Sequence, residues 1–294
     1  SNKSGFFALF LWALEYSYSA KIYGFKPYIE ISNKSNYYDI EYSRDHNIHN
    51  VFNYFFSHKR IVGNNYKVKN LYKWYRPPKI LEIGNKLNHT SYYELIENED
   101  ALEKLFEVFH EYFELNEKTN NQIEKDSKDI KLSNEYLSVH FRGTDFRYNL
   151  KNHPSFIAEE NYFRIIDNEL CKRPELNIFL ATDDKKSLMK FKEKYSTKLK
   201  YFAVDRSATN SVGFYKKNKR KYHKYNSGYE VLRDAVVLSK GNLMICSPSN
   251  VSVSARIFSL IFSNKPIKVD VVKSKINKIG PKLIDVDKNF REMQ

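Results

Sequence analysis

Hydrophobic and polar positions alternate in a regular order through the second half of the chain and irregularly through the first. From Tyr136 onward, short apolar runs of strand length are separated by longer stretches of helical period. Tyr136–Phe141, residues 177–181, 199–204, 243–246 and 267–271 predict strands. Residues 159–170, 185–195, 229–239 and 251–262 predict the helices between them. Strand–helix alternation at this spacing predicts a parallel sheet covered on both faces.

In the first half, residues 6–22 predict a helix, apolar almost throughout its first turns, with Gly24 placed to end it. Residues 27–31 read as a strand, and a helix feeding a strand predicts an α/β unit whose first strand lies before Ser1. Residues 33–60 are irregular and aromatic, with Tyr37, Tyr38, Tyr42, Phe52, Tyr54, Phe55 and Phe56. Such aromatics can line a sugar-binding surface, but packing explains them more often. Asp45-His46-Asn47-Ile48-His49 has a faint metal-ligand look and reads as a loop, because further ligands are lacking nearby. Tyr75-Arg76-Pro77-Pro78 is a break. Asp100 then caps an amphipathic helix with Leu102, Leu105, Phe106, Phe109 and Phe113 on one face. Residues 117–129 contain neither Gly nor Pro and extend that helix or connect two domains. The pattern therefore divides into residues 1–128, residues 129–272 and a C-terminal tail, 273–294, expected to pack back on the first domain.

Composition narrows the partners. The 294 residues are 41% hydrophobic, enough for a substantial core. Lys and Arg number 49 against 35 Asp and Glu, a net charge of +14 that favours anionic partners such as nucleic acid, an acidic membrane surface or a phosphorylated substrate. Heavy overall use of Lys, Asn, Tyr, Phe and Ile accounts for part of it. The two cysteines, Cys171 and Cys246, lie 75 positions apart, which excludes a CxxC metal or redox motif and speaks against a disulfide framework. The apolar run 6–14 is too short to span a bilayer and lacks a basic leader, so a cytoplasmic location is expected, with peripheral contact at the inner face of an anionic membrane.

Candidate chemistry gathers at three strand ends. The first is His140-Phe-Arg142-Gly-Thr-Asp145, where a permanent guanidinium follows a buried strand. The second is Ala181-Thr-Asp183-Asp184, and the third Cys246-Ser247-Pro-Ser249-Asn250, each opening onto a helix. Singly, Asp183, Asp184 and Ser249 read as helix caps; a parallel sheet brings all three ends to one edge, where ligands bind. The glycines are spread so that the closest two, Gly228 and Gly241, are 13 apart, which excludes GxGxxG and P-loop sites. Neither HExxH nor GxSxG occurs, and Asp285-Val-Asp287 is only a loose match to the acidic pair of metal-dependent sugar transferases. The run 215–225 interleaves Tyr and His with Lys and Arg, a pattern compatible with nucleic acid, a diphosphate flap or an anionic membrane.

Across residues 136–262 the chain resembles the GDP-fucose-dependent fucosyltransferases, especially the α1,6 enzymes of the core-fucosylating and nodulation-factor type. The resemblance rests on His140-Phe-Arg142-Gly-Thr-Asp145, His153-Pro154, Leu180-Ala-Thr-Asp183-Asp184, Leu232-Arg-Asp234 and Cys246-Ser247-Pro-Ser249, in family order and approximate spacing. It implies an α/β, GT-B-like fold of two Rossmann-like domains, with residues 1–128 on the acceptor side and 129–272 holding the nucleotide sugar. It implies an inverting, metal-independent transfer of fucose, or a related deoxyhexose or heptose, from a GDP-sugar to a glycan hydroxyl. The donor is a substrate, and no cofactor is expected.

By the same resemblance Arg142 would neutralise the β-phosphate as the sugar–phosphate bond breaks, His140 and Asp234 would recognise guanine, and Asp183, Asp184, Ser247 and Ser249 would shape the nucleotide and phosphate surroundings. The chain departs from the family twice. Gly143 stands where a second Arg is usual, which turns attention to Arg147 and to the lysines of 216–224; and the family's glutamate before His-Pro falls near Asn149 or Leu150, leaving Asp145, with His153 behind it, as general base. The alternatives are a catalytically inactive GDP-sugar-binding protein and a basic nucleic-acid-binding α/β protein.

Overall fold

The computed structural model describes residues 4–59, 91–144, 146–148, 154–204, 206, 220–275 and 277–279. Tyr75–Pro78, Asp145, His153, residues 215–219, Asp285 and Asp287 lie outside these.

Among the described residues, the first half supplies helices and one short ribbon. α1 (Phe6–Ile22) is apolar all round and ends where Gly24 takes φ +73°, a conformation open to glycine. α2 (Ile40–His46) is capped by the Asp39 carboxylate accepting from the Tyr42 N–H. The helix takes in Asp45 and His46 of the loop expected at Asp45–His49, and the loop begins at Asn47, in the left-handed conformation at φ +53°. β1 (Phe56–His58) pairs antiparallel with β2 (Phe113–Leu115). α3 (Tyr92–Leu95) carries a capping box from Ser91 and Glu94, and α4 (Glu99–Tyr112) is capped by Asn98, two residues before the expected Asp100. α5 (Glu117–Asp129) takes up the polar stretch of undecided structure. The strand expected at 27–31 is extended chain instead. Asn50 and His58 take its backbone groups: Ile31 N–H donates to Asn50 Oδ1, Asn50 Nδ2 donates to the Ile29 carbonyl, and Ile29 N–H donates to His58 Nε2. Side chains thus satisfy the amides that a sheet partner would otherwise pair.

The second half follows the predicted alternation: β3 (Tyr136–Phe141), α6 (Glu159–Lys172), β4 (Asn177–Thr182), α7 (Lys185–Tyr195), β5 (Leu199–Lys200), α8 (His223–Leu238), β6 (Leu243–Cys246), α9 (Asn250–Ser263) and β7 (Val269–Val271). The five strands form one sheet in the order β5-β4-β3-β6-β7, with every neighbouring pair parallel. β5 is shorter than the run 199–204 predicts, and α8 begins at His223 rather than at 229.

Two cores result from the period-two alternation of the strands. Leu137, Val139, Phe141, Ile178, Leu180 and Ile245 pack under α6 and α7. Tyr136, Phe179, Ala181, Met244 and Cys246 face the other way, onto α8 and α9. That second core continues without a break into the first half. The Phe258 ring of α9 lies 5.6 Å from Phe10 of α1 and 6.2 Å from Phe109 of α4, and Phe10 stacks on Phe56 of β1 at 5.3 Å. Most aromatics of 33–60, among them Tyr37, Tyr42, Phe52, Tyr54, Phe55 and Phe56, are buried in it, so packing is their role. The opening of the C-terminal tail touches α3, with Lys273 Nζ 2.8 Å from Glu97 and Tyr93 Oη 3.3 Å from Ser274 Oγ.

Candidate functional site

β3 is the central strand and all six of its residues are buried. From β3 the chain moves to β4 and β5 on one side, then crosses over by α8 to β6 on the other. The strand order therefore reverses between β3 and β6, and the crevice beyond their carboxyl ends is a topological switch point, the place where open α/β sheets bind ligands. The three polar strand ends meet at this edge. Arg142 follows β3, Asp183 and Asp184 follow β4, and Ser247 and Ser249 follow β6.

His140, the penultimate residue of β3, is buried against the start of α9. Its Nδ1 lies 2.9 Å from Ser252 Oγ and 3.3 Å from Ser249 Oγ. Ser252 donates its hydroxyl proton to the Ser247 carbonyl at 3.0 Å, so its oxygen lone pairs face the ring. This places the imidazole proton on Nδ1 and makes Nε2 an acceptor. Burial, reinforced by the Arg142 cation, pushes the His140 pKa down to about 3. His140 is thus a neutral, fixed ring, suited to accepting a hydrogen bond and unsuited to acid–base work near neutrality. Ser249 also caps α9 by accepting from the Ser252 N–H at 3.1 Å, and Ser247 is buried beside it.

Asp183 gathers the start of the loop that leaves β3. It accepts from the Gly143 N–H at 3.1 Å and from Thr144 Oγ1 at 2.7 Å, and it lies 3.5 Å from Arg142 Nε. Arg142 and Asp183 are each about one-third exposed. Asp184 holds the other end of the loop. It caps α7 through the Lys186 and Ser187 N–H groups and accepts from Arg147 Nε at 2.8 Å. Arg147 continues to Glu159 Oε1 at 3.0 Å and stacks 3.9 Å over the Phe156 ring, so its guanidinium is engaged in holding the loop. Burial alone would raise the Glu159 pKa; hydrogen bonds from Lys190 and Ser187 outweigh it and hold the carboxyl below its usual range.

Gly143, the departure from the Arg-Arg pattern, has a steric cause. A Cβ there would sit 2.5 Å from Asp184 Cβ and 2.6 Å from its Oδ2, so a side chain is excluded unless Asp184 moves.

Asp234 lies on α8, one turn before Leu238, whose carbonyl accepts from Ser138 of β3. Among the described residues its carboxyl makes no hydrogen bond or ion pair. Burial raises its pKa to about 6 against the pull of Arg233 and Arg206. Two residues that sequence patterns did not single out shape its surroundings. Arg206 donates to the carbonyls of Thr182 and Phe202, both at 2.9 Å, binding the ends of β4 and β5 together. Arg233 pairs with Asp126 of α5 at 2.6 Å and stacks 3.7 Å over Phe202. The only signal for Arg206 in the sequence is its place just beyond an apolar run, and for Arg233 its place beside Asp234.

The basic run is described from Arg220 on. Arg220 is paired with Glu230 at 2.6 Å, the Tyr222 hydroxyl donates to Asp45, and Tyr225 stacks 3.7 Å from Tyr42 and 5.2 Å from Phe55. These aromatic rings serve packing between α8 and the first half. Among the described residues no group of three or more His, Cys, Asp or Glu is placed to hold a metal ion, and no helix is long and apolar enough to cross a membrane.

No protein family matches the chain, and no curated protein does. Among solved structures it is similar to NodZ α-1,6-fucosyltransferase co-crystallised with GDP, at 17% identity and TM-score 0.34, over 54% of this chain and 46% of that one. POFUT1 in complex with GDP-fucose is similar at 10% identity and TM-score 0.39, over 58% and 50%. NodZ soaked with GDP-fucose aligns over 92% and 94%, at 16% identity and TM-score 0.48. In the first two the chain spans about half the length of the structure it matches.

Proposed function

We propose that the chain is a glycosyltransferase that moves fucose, or a related deoxyhexose or heptose, from a GDP-sugar to a glycan hydroxyl, with inversion and without a metal. The observation that carries the reading is the placement of Arg142 at the switch point beside a neutral His140, with the Asp234 carboxyl, unpaired among the described residues, on the helix behind. A fixed cation aimed at a leaving diphosphate stabilises charge as it develops, usually the largest catalytic contribution. The Asp234 carboxylate and His140 Nε2 are both acceptors, and guanine presents adjacent N–H donors on one edge. Asp183, Asp184, Ser247 and Ser249 hold the phosphate-side loop and the first turn of α9 in place. Asp145 is proposed as the base that takes the acceptor's proton, with His153 as the next nearest candidate. The acceptor is assigned to residues 1–128, with residues 273–294 packing back on them, on the resemblance alone.

A thermal-shift comparison of GDP, UDP and ADP, each with and without chelator, tests the donor. Stabilisation by GDP alone, unchanged by chelator, supports the reading; equal response to all three, or none, defeats it. Arg142→Ala is expected to abolish turnover in a folded protein, and near wild-type turnover would sink the assignment. Binding of GDP-sugar without transfer or hydrolysis identifies the alternative, an inactive binding protein. Nucleic-acid binding is disfavoured by the packed roles of Tyr222 and Tyr225. The cytoplasmic, peripheral location is proposed from Ile22, Tyr23, Phe25 and Tyr28, exposed along the segment 21–28 that leaves the end of α1 and also carries Lys21 and Lys26. Sedimentation with phosphatidylserine vesicles but not neutral ones supports it; equal sedimentation or none refutes it.

A further inference from the structure

We infer that Asp183 is a positioning residue for Arg142 rather than a ligand of the nucleotide, an inference that rests on the donor reading above. One carboxylate holds three consecutive residues. Oδ1 accepts from the Gly143 N–H at 3.1 Å, while Oδ2 accepts from Thr144 Oγ1 at 2.7 Å and lies 3.5 Å from Arg142 Nε. The contact is at Nε, next to the aliphatic stem, so the carboxylate acts on the direction in which the side chain leaves the strand. An arginine whose stem direction is set in advance loses less rotamer freedom when the anion arrives, which raises affinity without adding a contact. Asp184 secures the same loop from its far end through Arg147, at 2.8 Å. The two adjacent carboxylates at the end of β4 therefore clamp both ends of the loop that carries the cation.

The charge and the scaffold can be separated. Asp183→Asn keeps an acceptor for the Gly143 N–H, but its NH2 takes the place of Oδ2, where it can donate to Thr144 Oγ1 and meets the Arg142 Nε–H donor to donor, so the charge and the acceptor facing Arg142 are lost together. Calorimetric titration of the full chain with guanosine, GMP and GDP reads the effect, because the preference for GDP over GMP isolates the β-phosphate. The wild type is expected to prefer GDP by about tenfold or more, the range of one charge-assisted hydrogen bond. Arg142→Ala and Asp183→Asn should each collapse that preference to within about threefold of unity, with guanosine affinity unchanged. A wild-type preference in Asp183→Asn overturns the positioning role alone. Equal loss of guanosine affinity overturns it too, since the residue would then support the whole pocket. Failure of the wild type to bind GDP overturns the donor reading and this role with it. Should Asp183→Asn not fold, Asp183→Glu retains the charge and is expected to keep at least a third of the GDP preference; its complete loss counts against the role.

Discussion

Replacing Gly143 by alanine tests the tightest contact of the site without reference to any ligand. The added Cβ would lie 2.5 Å from Asp184 Cβ, where ordinary contact between carbons is about 3.5–4 Å, so something must move by about 1 Å. Asp184 cannot swing aside cheaply. Its Oδ1 accepts from the Lys186 N–H at 2.8 Å, and its Oδ2 accepts from Arg147 Nε at 2.8 Å and Ser187 Oγ at 3.0 Å. Overpacking at a well-filled position costs about 1–3 kcal/mol. Disturbing the α7 cap adds about 1 kcal/mol. Gly143→Ala should therefore lose about 2–4 kcal/mol of stability in urea unfolding at pH 7, extrapolated linearly to water. Gly5→Ala is the control, because a Cβ there meets nothing within 4 Å; as the N-cap of α1 it should lose only the capping preference of glycine over alanine, about 1 kcal/mol or less. A Gly143→Ala protein as stable as the control would refute the steric account of the missing arginine.

Other consequences follow from the same geometry. Phe258→Ala empties the point where α9 meets Phe10 and Phe109, and should cost about 3–5 kcal/mol in the same unfolding assay, with loss of a single transition common to both halves of the chain. Asp126→Ala leaves the buried Arg233 without its carboxylate and should cost about 3–5 kcal/mol, whereas a loss under 1 kcal/mol would mean that the pair is solvent-screened. Asp234 has a folded pKa near 6, above its ordinary 3.8, so its ionisation works against folding as pH rises from about 4 to 6. A ligand donating to the carboxylate reverses that preference: GDP should bind more weakly as pH falls from 7 to 5, and Asp234→Asn should remove the part of this dependence not owed to the phosphate. Glu159 has the opposite sign, its pKa held below the usual value, so its contribution is complete above that value and is lost as pH falls; Glu159→Gln should flatten the acid limb of the stability curve.

The second half was legible because strand and helix periods differ and because buried parallel strands read as unbroken apolar runs. Tyr136–Phe141 is apolar apart from Ser138 and His140, and both of those side chains find partners on α8 and α9. Boundaries failed where tertiary contacts decide them. α8 starts six residues before its apolar period, where Asp39, the cap of α2, accepts from the Lys224 N–H at 3.0 Å in its first turn. The run 199–204 is strand-like in composition, but only Leu199 and Lys200 have a neighbour to pair with, and Arg206 takes the Phe202 and Val204 carbonyls instead. Residues 27–31 likewise look like a strand and are held by Asn50 and His58, 19 to 29 positions away. Local pattern carries no record of partners so distant.

At the site, residue types were legible and directions were not. An Asp-Asp pair at a strand end looks the same whether its oxygens face a ligand, a helix N-terminus or a neighbouring loop. Here Asp184 faces the last two, and Asp183 faces the loop and the guanidinium it carries. The glycine between them and Arg147 explains why this arrangement leaves room for one strand-end arginine only: the loop approaches Asp184 so closely that residue 143 has no space for a side chain. Arg147 cannot compensate while it holds Asp184 and Glu159. On the proposed reading, charge neutralisation at this edge of the sheet falls on Arg142, since Arg147 holds the loop and Arg206 the Thr182 and Phe202 carbonyls, and a carboxylate beside Arg142 gains importance in proportion.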